Sequence, residues 1–150
     1  MIRVQREDFD VGAEIARLAE GRHEIGGIVS FVGVVRDAAG ADRIGAMTLE
    51  HYPGMTEKKL GEIEAEARQR WKLEALLIIH RFGRLEPGER IVLVVTAAAH
   101  RQAAFEACEF LVDWLKTKAP FWKLEETSAG PRWVDAHSGD DVAAKRWVAQ

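Results

Sequence analysis

Two uninterrupted apolar segments constrain the fold of this chain more than any other feature of its sequence. They span residues 73–83 (LEALLIIHRFG) and 90–99 (RIVLVVTAAA), and a Pro-Gly turn within residues 86–89 separates them. Each has the length of one β-strand and is far shorter than the roughly 20 apolar residues that a membrane-spanning helix requires. Strands without polar alternation are covered on both faces. The pair therefore predicts a buried sheet in the middle of a globular domain.

The other segments predict an α+β fold in which strands are often consecutive. The predicted strands span residues 2–4, 26–37, 44–52, 73–83 and 90–99, and the predicted helices span residues 11–20, 57–71, 101–118 and 140–148. The order of the first eight elements, β-α-β-β-α-β-β-α, is typical of a mostly antiparallel or mixed sheet with helices on one face. The sequence contains neither a dinucleotide-binding glycine motif nor a Walker A motif, so a doubly wound nucleotide-binding fold is not expected.

Composition excludes several functional classes. A length of 150 residues suits one domain over residues 1–150 better than two. Lys and Arg number 21 against 24 Asp and Glu, and the formal net charge of -3 excludes a strongly basic nucleic-acid-binding protein. The single cysteine, Cys108, excludes an intramolecular disulfide framework and a Cys-rich zinc site. The N-terminus has no apolar signal-peptide core, so a cytoplasmic location is expected.

The densest group of chemically useful side chains lies at the end of the long predicted helix, in LKTKAPFWKLE (115–125). Lys116 and Lys118 lie about 200° apart around a helix and cannot share a face. Because Pro120 ends the helix, the chain can turn and bring Lys123 near Lys116. Two close ammonium groups depress each other's pKa, and an amine that is neutral near pH 7 acts as a nucleophile or general base. The alternative is a solvated helix end, where lysines interact favourably with the helix dipole.

A second candidate site lies at the start of the same helix. His100 and Arg101 follow a buried strand and open the helix, where free N–H groups and the positive end of the dipole favour an anion. Arg36, after the strand over residues 26–37, offers a second guanidinium group. The alternative assigns His100 to helix capping and both arginines to the solvated surface. No metal-binding spacing is present, so we expect His80 to be a structural histidine and Cys108 to be a core residue.

Four segments of the chain together resemble the large, catalytic subunit of molybdopterin synthase. They are LEHYPGMTE (49–57), HRFGRLEPGE (80–89), AHRQAAFEACEFLVDWLKTKAPFWKLE (99–125) and RWVDAH (132–137), and they occur in the order expected for that family. The resemblance extends from about Gly26 to Trp147. It implies an α/β-hammerhead fold with an added small β subdomain. It also implies an enzyme that converts cyclic pyranopterin monophosphate into molybdopterin by inserting two dithiolene sulfurs.

The resemblance implies partners as well as a reaction. The sulfur would come from the C-terminal Gly-Gly thiocarboxylate of a small ubiquitin-like sulfur-carrier subunit. The assembly would be a homodimer of this chain with one small subunit at each end, a heterotetramer. No cofactor, metal, nucleic acid or membrane is implied. We expect an apolar docking face for the small subunit, with aromatic residues such as Phe121 and Trp122.

The resemblance also assigns site residues. Lys116 and Lys123 correspond to the two catalytic lysines of the family. The substrate-binding positions correspond, in addition, to Phe31, Val34, Val35, Arg36, His100, Arg101, Leu124, Glu125 and His137. Some relatives carry an arginine at the last of these positions, which is thought to reach the site of the neighbouring protomer. A histidine there carries positive charge only when it is protonated.

These assignments lead to a hypothesis with two alternatives. Lys116 would contact the terminal carbonyl of the tail, and Lys123 would be a base or an electrostatic partner on the pterin side. Since a thiocarboxylate is already an activated acyl donor, this chain needs no cysteine nucleophile. One alternative is a non-catalytic scaffold for the ubiquitin-like subunit, which would not need the lysine pair. The other is a phosphate- or nucleotide-binding regulatory domain, which would leave residues 115–125 without a purpose.

Overall fold

A computed structural model of the chain describes residues 1–37, 44–127, 130–133 and 138–148. Its elements, in chain order, are β1 (Ile2–Gln5), α1 (Val11–Ala19), β2 (Gly27–Val34), β3 (Ile44–His51), α2 (Met55–Arg70), β4 (Ala75–Arg81), β5 (Gly83–Leu85), β6 (Arg90–Ala98), α3 (Arg101–Lys118), β7 (Phe121–Thr127), β8 (Gly130–Trp133) and α4 (Ser138–Lys145). The predicted α+β class is confirmed. The sequence patterns predict neither β7 nor β8, and they merge β5 with β4.

The first sheet has the strand order β1-β4-β6-β2. β1 pairs with β4 in parallel, whereas the β4–β6 and β6–β2 pairs are antiparallel, so the sheet is mixed, as predicted. The two central strands are the two apolar segments of the sequence. Every residue of β4 is buried, and in β6 only Arg90 at its start is not. The predicted buried sheet is therefore confirmed.

Helices cover both faces of this sheet, so the prediction of helices on one face is wrong. On one face, Ile78 of β4 and Val94 of β6 pack in a core cluster with residues of α2 and α3. On the other, Ile79 and Leu93 pack in a second cluster with Val11 and other residues of α1. Because β4 and β6 carry apolar side chains in both directions, each face needs its own cover.

The second sheet is antiparallel throughout, with the strand order β5-β3-β7-β8. It corresponds to the added small β subdomain that the resemblance implies. Met47 and Leu49 of β3 are buried in the same core cluster as α2 and α3, so the second sheet packs on the face of the first sheet that α2 and α3 cover. Pro131, which cannot donate to a strand ladder, is tolerated because β8 is an edge strand.

No helix among the described residues has the length and apolar character needed to cross a membrane.

Candidate active site

A narrow cavity at the C-terminal end of α3 brings the two predicted catalytic lysines together. Its volume is about 60 Å³, and it lies where α3 meets both sheets. Lys116 enters it from α3 and Lys123 from β7. The other lining residues are Phe31, Leu49, His80, Ile91, Val92, Val112, Leu115, Ala119 and Phe121. Most of this wall is apolar, so the two lysines and His80 are the polar groups that a bound molecule would meet.

The turn at Pro120 explains how Lys123 reaches the cavity. α3 ends at Lys118, Ala119 adopts an extended backbone, and the N–H of Phe121 donates to the Ala119 carbonyl at 2.9 Å. β7 then runs antiparallel to β3, with Lys123 opposite Leu49. Since side chains alternate along a strand, Phe121 and Lys123 share the face that lines the cavity. The predicted return of the chain toward Lys116 is confirmed.

His80, a residue of β4, lines the same cavity as the two lysines and has a fixed orientation. The residue is buried, with only 8% of its surface exposed. Its ring stacks on the ring of Phe121, with centroids 3.7 Å apart and 13° between the planes. Nδ1 lies 2.8 Å from the Arg81 carbonyl oxygen. Because a carbonyl only accepts, Nδ1 carries the proton and Nε2 carries the lone pair.

Burial is the main cause that lowers the pKa of His80 to about 4; the positive charges of Lys123 and Lys116 act in the same direction, and the hydrogen bond to Arg81 acts in the opposite one. The imidazole is therefore neutral at physiological pH. The sequence predicts a structural histidine, and the hydrogen bond at Nδ1 agrees with that role. The place of His80 in the lining of the lysine cavity is not predicted from the sequence. The available signal was a titratable side chain at the end of an otherwise apolar strand.

His100 and Arg101 lie at the opposite end of α3 from the cavity. Both are exposed, and the His100 side chain makes no capping hydrogen bond, which argues against the capping alternative. At a rise of 1.5 Å per residue, Arg101 and Lys116 are separated by roughly 22 Å along the helix axis. Within one protomer, the structure therefore does not bring this pair to the lysines.

Close backbone packing fixes the position of His100 and Arg101. The N–H of Gly26 donates to the Ala98 carbonyl at 2.9 Å. A Cβ atom on Gly26 would overlap with the carbonyl oxygen of Ala99, and one on Gly27 would lie 3.5 Å from the Cα atom of Arg101. The glycines that punctuate this strand therefore allow the start of β2 to contact the β6–α3 connection directly.

Arg36 follows the other end of β2. That end pairs with Arg90 at the start of β6, next to the cavity residues Ile91 and Val92, and Arg36 itself is exposed. A register shift between Gly33 and Val34 bends the strand there. Arg36 is thus placed at the cavity end of the sheet, unlike the pair at the start of α3.

The remaining predicted substrate-binding residues have different surroundings. Phe31 lines the cavity, Val34 is exposed, and Val35 is buried with its N–H donating to the Glu89 carbonyl at 2.9 Å. On β7, Glu125 shares the face of Lys123 and Leu124 points the other way. His137 lies outside the described residues.

Two further expectations concern Cys108 and the aromatic residues after Pro120. Cys108 is buried in the core, and burial raises the pKa of its thiol to about 11, so the predicted core role is confirmed. Phe121 lies under His80 and lines the cavity, so it is not part of an exposed docking face. Trp122 is 41% exposed and meets Tyr52 edge-on, with ring centroids 4.3 Å apart.

Among the described residues, no group of three or more His, Cys, Asp or Glu side chains is arranged to hold a metal ion.

Known proteins resemble this chain over almost its whole length. The model of a family described as "MoaE protein" matches residues 4–118. A molybdopterin synthase catalytic subunit from Pseudomonas aeruginosa is 59% identical over 146 residues, which cover 97% of each chain. The solved structure of a molybdopterin biosynthesis MoaE protein from Burkholderia ambifaria is 53% identical, with a TM-score of 0.85 over 100% of this chain and 99% of that one.

A more distant solved structure shares the fold. It is a protein–protein complex of subunits 1 and 2 of molybdopterin-converting factor from Helicobacter pylori, with a TM-score of 0.74 at 19% identity over 91% of this chain and 92% of that one.

Proposed function

This chain belongs to the MoaE protein family, and from that premise we propose that it is the catalytic subunit of molybdopterin synthase, a sulfur-transferring enzyme of molybdenum cofactor biosynthesis. The observation that carries this conclusion is the 59% identity to a molybdopterin synthase catalytic subunit over 97% of both chains. The proposal treats residues 1–150 as one large-subunit domain. Its substrate is cyclic pyranopterin monophosphate, and its product is the dithiolene molybdopterin.

The proposed sulfur donor is the C-terminal thiocarboxylate of a small ubiquitin-like subunit. The related fold from Helicobacter pylori was solved as a complex of two subunits of molybdopterin-converting factor, which supports a two-subunit assembly for this chain. A Gly-Gly tail suits the lysine cavity because glycine has no side chain and the cavity is narrow. We expect Trp122 and Tyr52, which are both exposed, to contribute to apolar docking on the outer surface.

The proposed chemistry follows from the thiocarboxylate. Its sulfur forms a bond to a pterin carbon as a C–O bond of that carbon breaks, and the displaced oxygen leaves as water or stays on the phosphate. Water then attacks the carbonyl carbon, the bond between that carbon and the sulfur breaks, and the tail leaves as a carboxylate. Two such transfers give the dithiolene. The ammonium group of Lys116 would stabilise charge that develops on the tail's carbonyl oxygen. Lys123, from the facing strand, would act as a base or an electrostatic partner on the pterin side.

We place the substrate phosphate between two protomers. Arg36 lies at the cavity end of its own sheet, whereas His100 and Arg101 are roughly 22 Å from Lys116 along α3. A homodimer supplies a second copy of α3, so His100 and Arg101 of one chain would complete the site of the other. Phe31, Val34, Val35, Leu124, Glu125 and His137 remain proposed contacts of the substrate or of the tail.

The proposed reaction belongs in the cytoplasm. Thiocarboxylates and dithiolenes are as sensitive to oxidation as thiols are, and the cytosol keeps thiols reduced.

A reconstituted turnover assay tests this function. The purified chain is mixed with the thiocarboxylated small subunit and cyclic pyranopterin monophosphate, and the dithiolene product is detected. We expect product only when all three components are present. Failure to form product, with a verified thiocarboxylate and demonstrated binding of the small subunit, would favour the scaffold alternative instead.

A further inference from the structure

The two ring nitrogens of His80 have different roles open to them. Nδ1 lies 2.8 Å from the Arg81 carbonyl oxygen, which leaves Nε2 as the nitrogen of the ring that can accept a hydrogen bond. The residue is more than nine-tenths buried, and its ring lines the cavity that contains both lysines. The lone pair on Nε2 therefore belongs to the same mostly apolar cavity as the two ammonium groups, where a hydrogen bond from a charged donor is strong.

The surroundings of Nε2 favour a donor from the lysine pair. Both ammonium groups lie close enough for their charges to disfavour protonation of the ring, and Lys123 has the larger influence. A protonated imidazole would repel an ammonium group, whereas the neutral ring with its lone pair on Nε2 accepts a hydrogen bond from one. Lys123 also lies two residues beyond Phe121, the residue on which the His80 ring stacks, on the same face of β7.

The ring is held rigidly enough to orient another side chain. The β4 backbone, the hydrogen bond at Nδ1 and the stack on Phe121 fix its position and its rotation. The ring of His51 also contacts Phe121, with centroids 6.0 Å apart, and Nδ1 of His51 is itself 3.1 Å from the Thr56 hydroxyl oxygen. An acceptor fixed in this way restricts the rotamers of a lysine that donates to it.

We propose that His80 is a positioning residue of the lysine cavity, whose Nε2 accepts a hydrogen bond from Lys123 and thereby orients that ammonium group toward the substrate. The inference rests on the proposed function of the cavity and deepens it. His80 itself takes no proton in the reaction. Its contribution is to hold Lys123 in one geometry without adding a third positive charge to the cavity.

Two amide substitutions at His80 test the contributions of Nδ1 and Nε2 separately. In His80→Asn the side-chain amide N–H takes the place of Nδ1 and keeps the bond to the Arg81 carbonyl, but nothing replaces Nε2. In His80→Gln the amide group reaches the place of Nε2, and the bond at Nδ1 is lost. The assay measures kcat and KM for the pterin in the reconstituted system, together with the denaturation midpoint of each variant.

We expect His80→Asn to lower kcat about ten-fold while KM and the denaturation midpoint stay close to those of the native chain. His80→Gln should be less stable, yet recover part of the lost kcat. A stable His80→Asn variant with kcat within about two-fold of native would overturn the proposal, as would equal losses in both variants. An inactive native chain in the same assay would instead count against the proposed function itself.

A spectroscopic measurement on the native chain tests the proposal without relying on the folding of either variant. Two-bond ¹H–¹⁵N correlations report which imidazole nitrogen carries the proton. We expect the Nδ1–H form, with an Nε2 resonance that moves when Lys123→Met removes the donor and stays in place in the matched control Lys118→Met. An Nε2–H form, or an Nε2 resonance insensitive to Lys123→Met, would contradict the proposal.

Discussion

Lys116 and Lys118 occupy the last turn of α3 but have different surroundings. Lys116 lines the cavity, whereas the ammonium nitrogen of Lys118 lies 5.0 Å from the ring centroid of Trp114, outside it. We predict that Lys116→Ala lowers turnover about 100-fold or more, because in the proposed mechanism it removes the charge that stabilises the reacting carbonyl. Lys118→Ala, the matched control on the same helix turn, should stay within about two-fold. The reconstituted assay measures both, and similar losses in the two variants would contradict the assigned role of Lys116.

The low pKa of His80 makes stability depend on pH. The unfolded chain binds a proton at His80 near pH 6.5, whereas the folded chain resists protonation until about pH 4. The neutral ring therefore contributes stability above pH 6.5, and this contribution is lost as the pH falls toward 4. The difference corresponds to about 3 kcal/mol of unfolding free energy.

Urea denaturation of the native chain and of His80→Asn between pH 4 and pH 8 measures this contribution. The carboxylates titrate in both proteins, so the difference between the two curves isolates the histidine. We expect the native chain to lose more stability than the variant on acidification. Parallel curves would show that His80 does not stay neutral in the folded chain.

The roles of some single residues can be predicted from the sequence, and those of others cannot. The core role of Cys108 follows from its place on the apolar stripe of a helix, and the meeting of Lys116 with Lys123 follows from Pro120. The place of His80 in the cavity does not, because Phe121 orients its ring from β7, a strand that the sequence patterns do not predict. A local pattern carries no information about a contact between residues forty positions apart.

At the scale of elements, the contact between β2 and the start of α3 depends on the absence of a side chain at Gly26. We predict that Gly26→Ala destabilises the chain by about 1–3 kcal/mol, because the new methyl group would meet the carbonyl oxygen of Ala99 and force the two backbones apart. Gly61 in the interior of α2 is the matched control, since a Cβ atom there meets nothing within 4 Å. Gly61→Ala should stabilise the chain by about 1 kcal/mol through helix propensity. Urea denaturation measures whether each variant has a lower or a higher free energy of unfolding. An unchanged free energy of unfolding in Gly26→Ala would contradict the close approach of the two backbones.

A helix or strand can be predicted from the sequence when its own residues carry the pattern that specifies it. β4, β6 and α3 follow from continuous apolar character or helical spacing, and their bounds match the predictions within a few residues. β5 has three residues, too few for a pattern, and β8 contains Gly130 and Pro131, which favour turns. β7 acquires its structure by pairing with β3, a partner distant in the chain.

At the scale of the whole molecule, the separation between the two candidate sites follows from the length of one helix. The sequence predicts a helix over residues 101–118, and the rise of 1.5 Å per residue already places its two ends far apart. The family resemblance nevertheless implies that His100, Arg101 and both lysines bind one substrate. The two ends of one α3 helix are too far apart to bind the same substrate molecule. The residues can share a substrate only if His100 and Arg101 come from one protomer and the lysines from the other, as the proposed homodimer allows.

Mixing two inactive chains tests this arrangement. Arg101→Ala and Lys116→Ala should each lose most activity alone, the first through phosphate binding and the second through the reacting carbonyl. If Arg101 serves the neighbouring site, a mixed dimer contains one site with both residues intact and one with neither. Equal amounts of the two chains, refolded together so that subunits pair at random, should then regain about a quarter of native turnover. If Arg101 served its own chain, every site would lack one residue and mixing would restore nothing. A tag on one chain verifies that mixed dimers form, so an absence of recovery in purified mixed dimers would exclude the shared site.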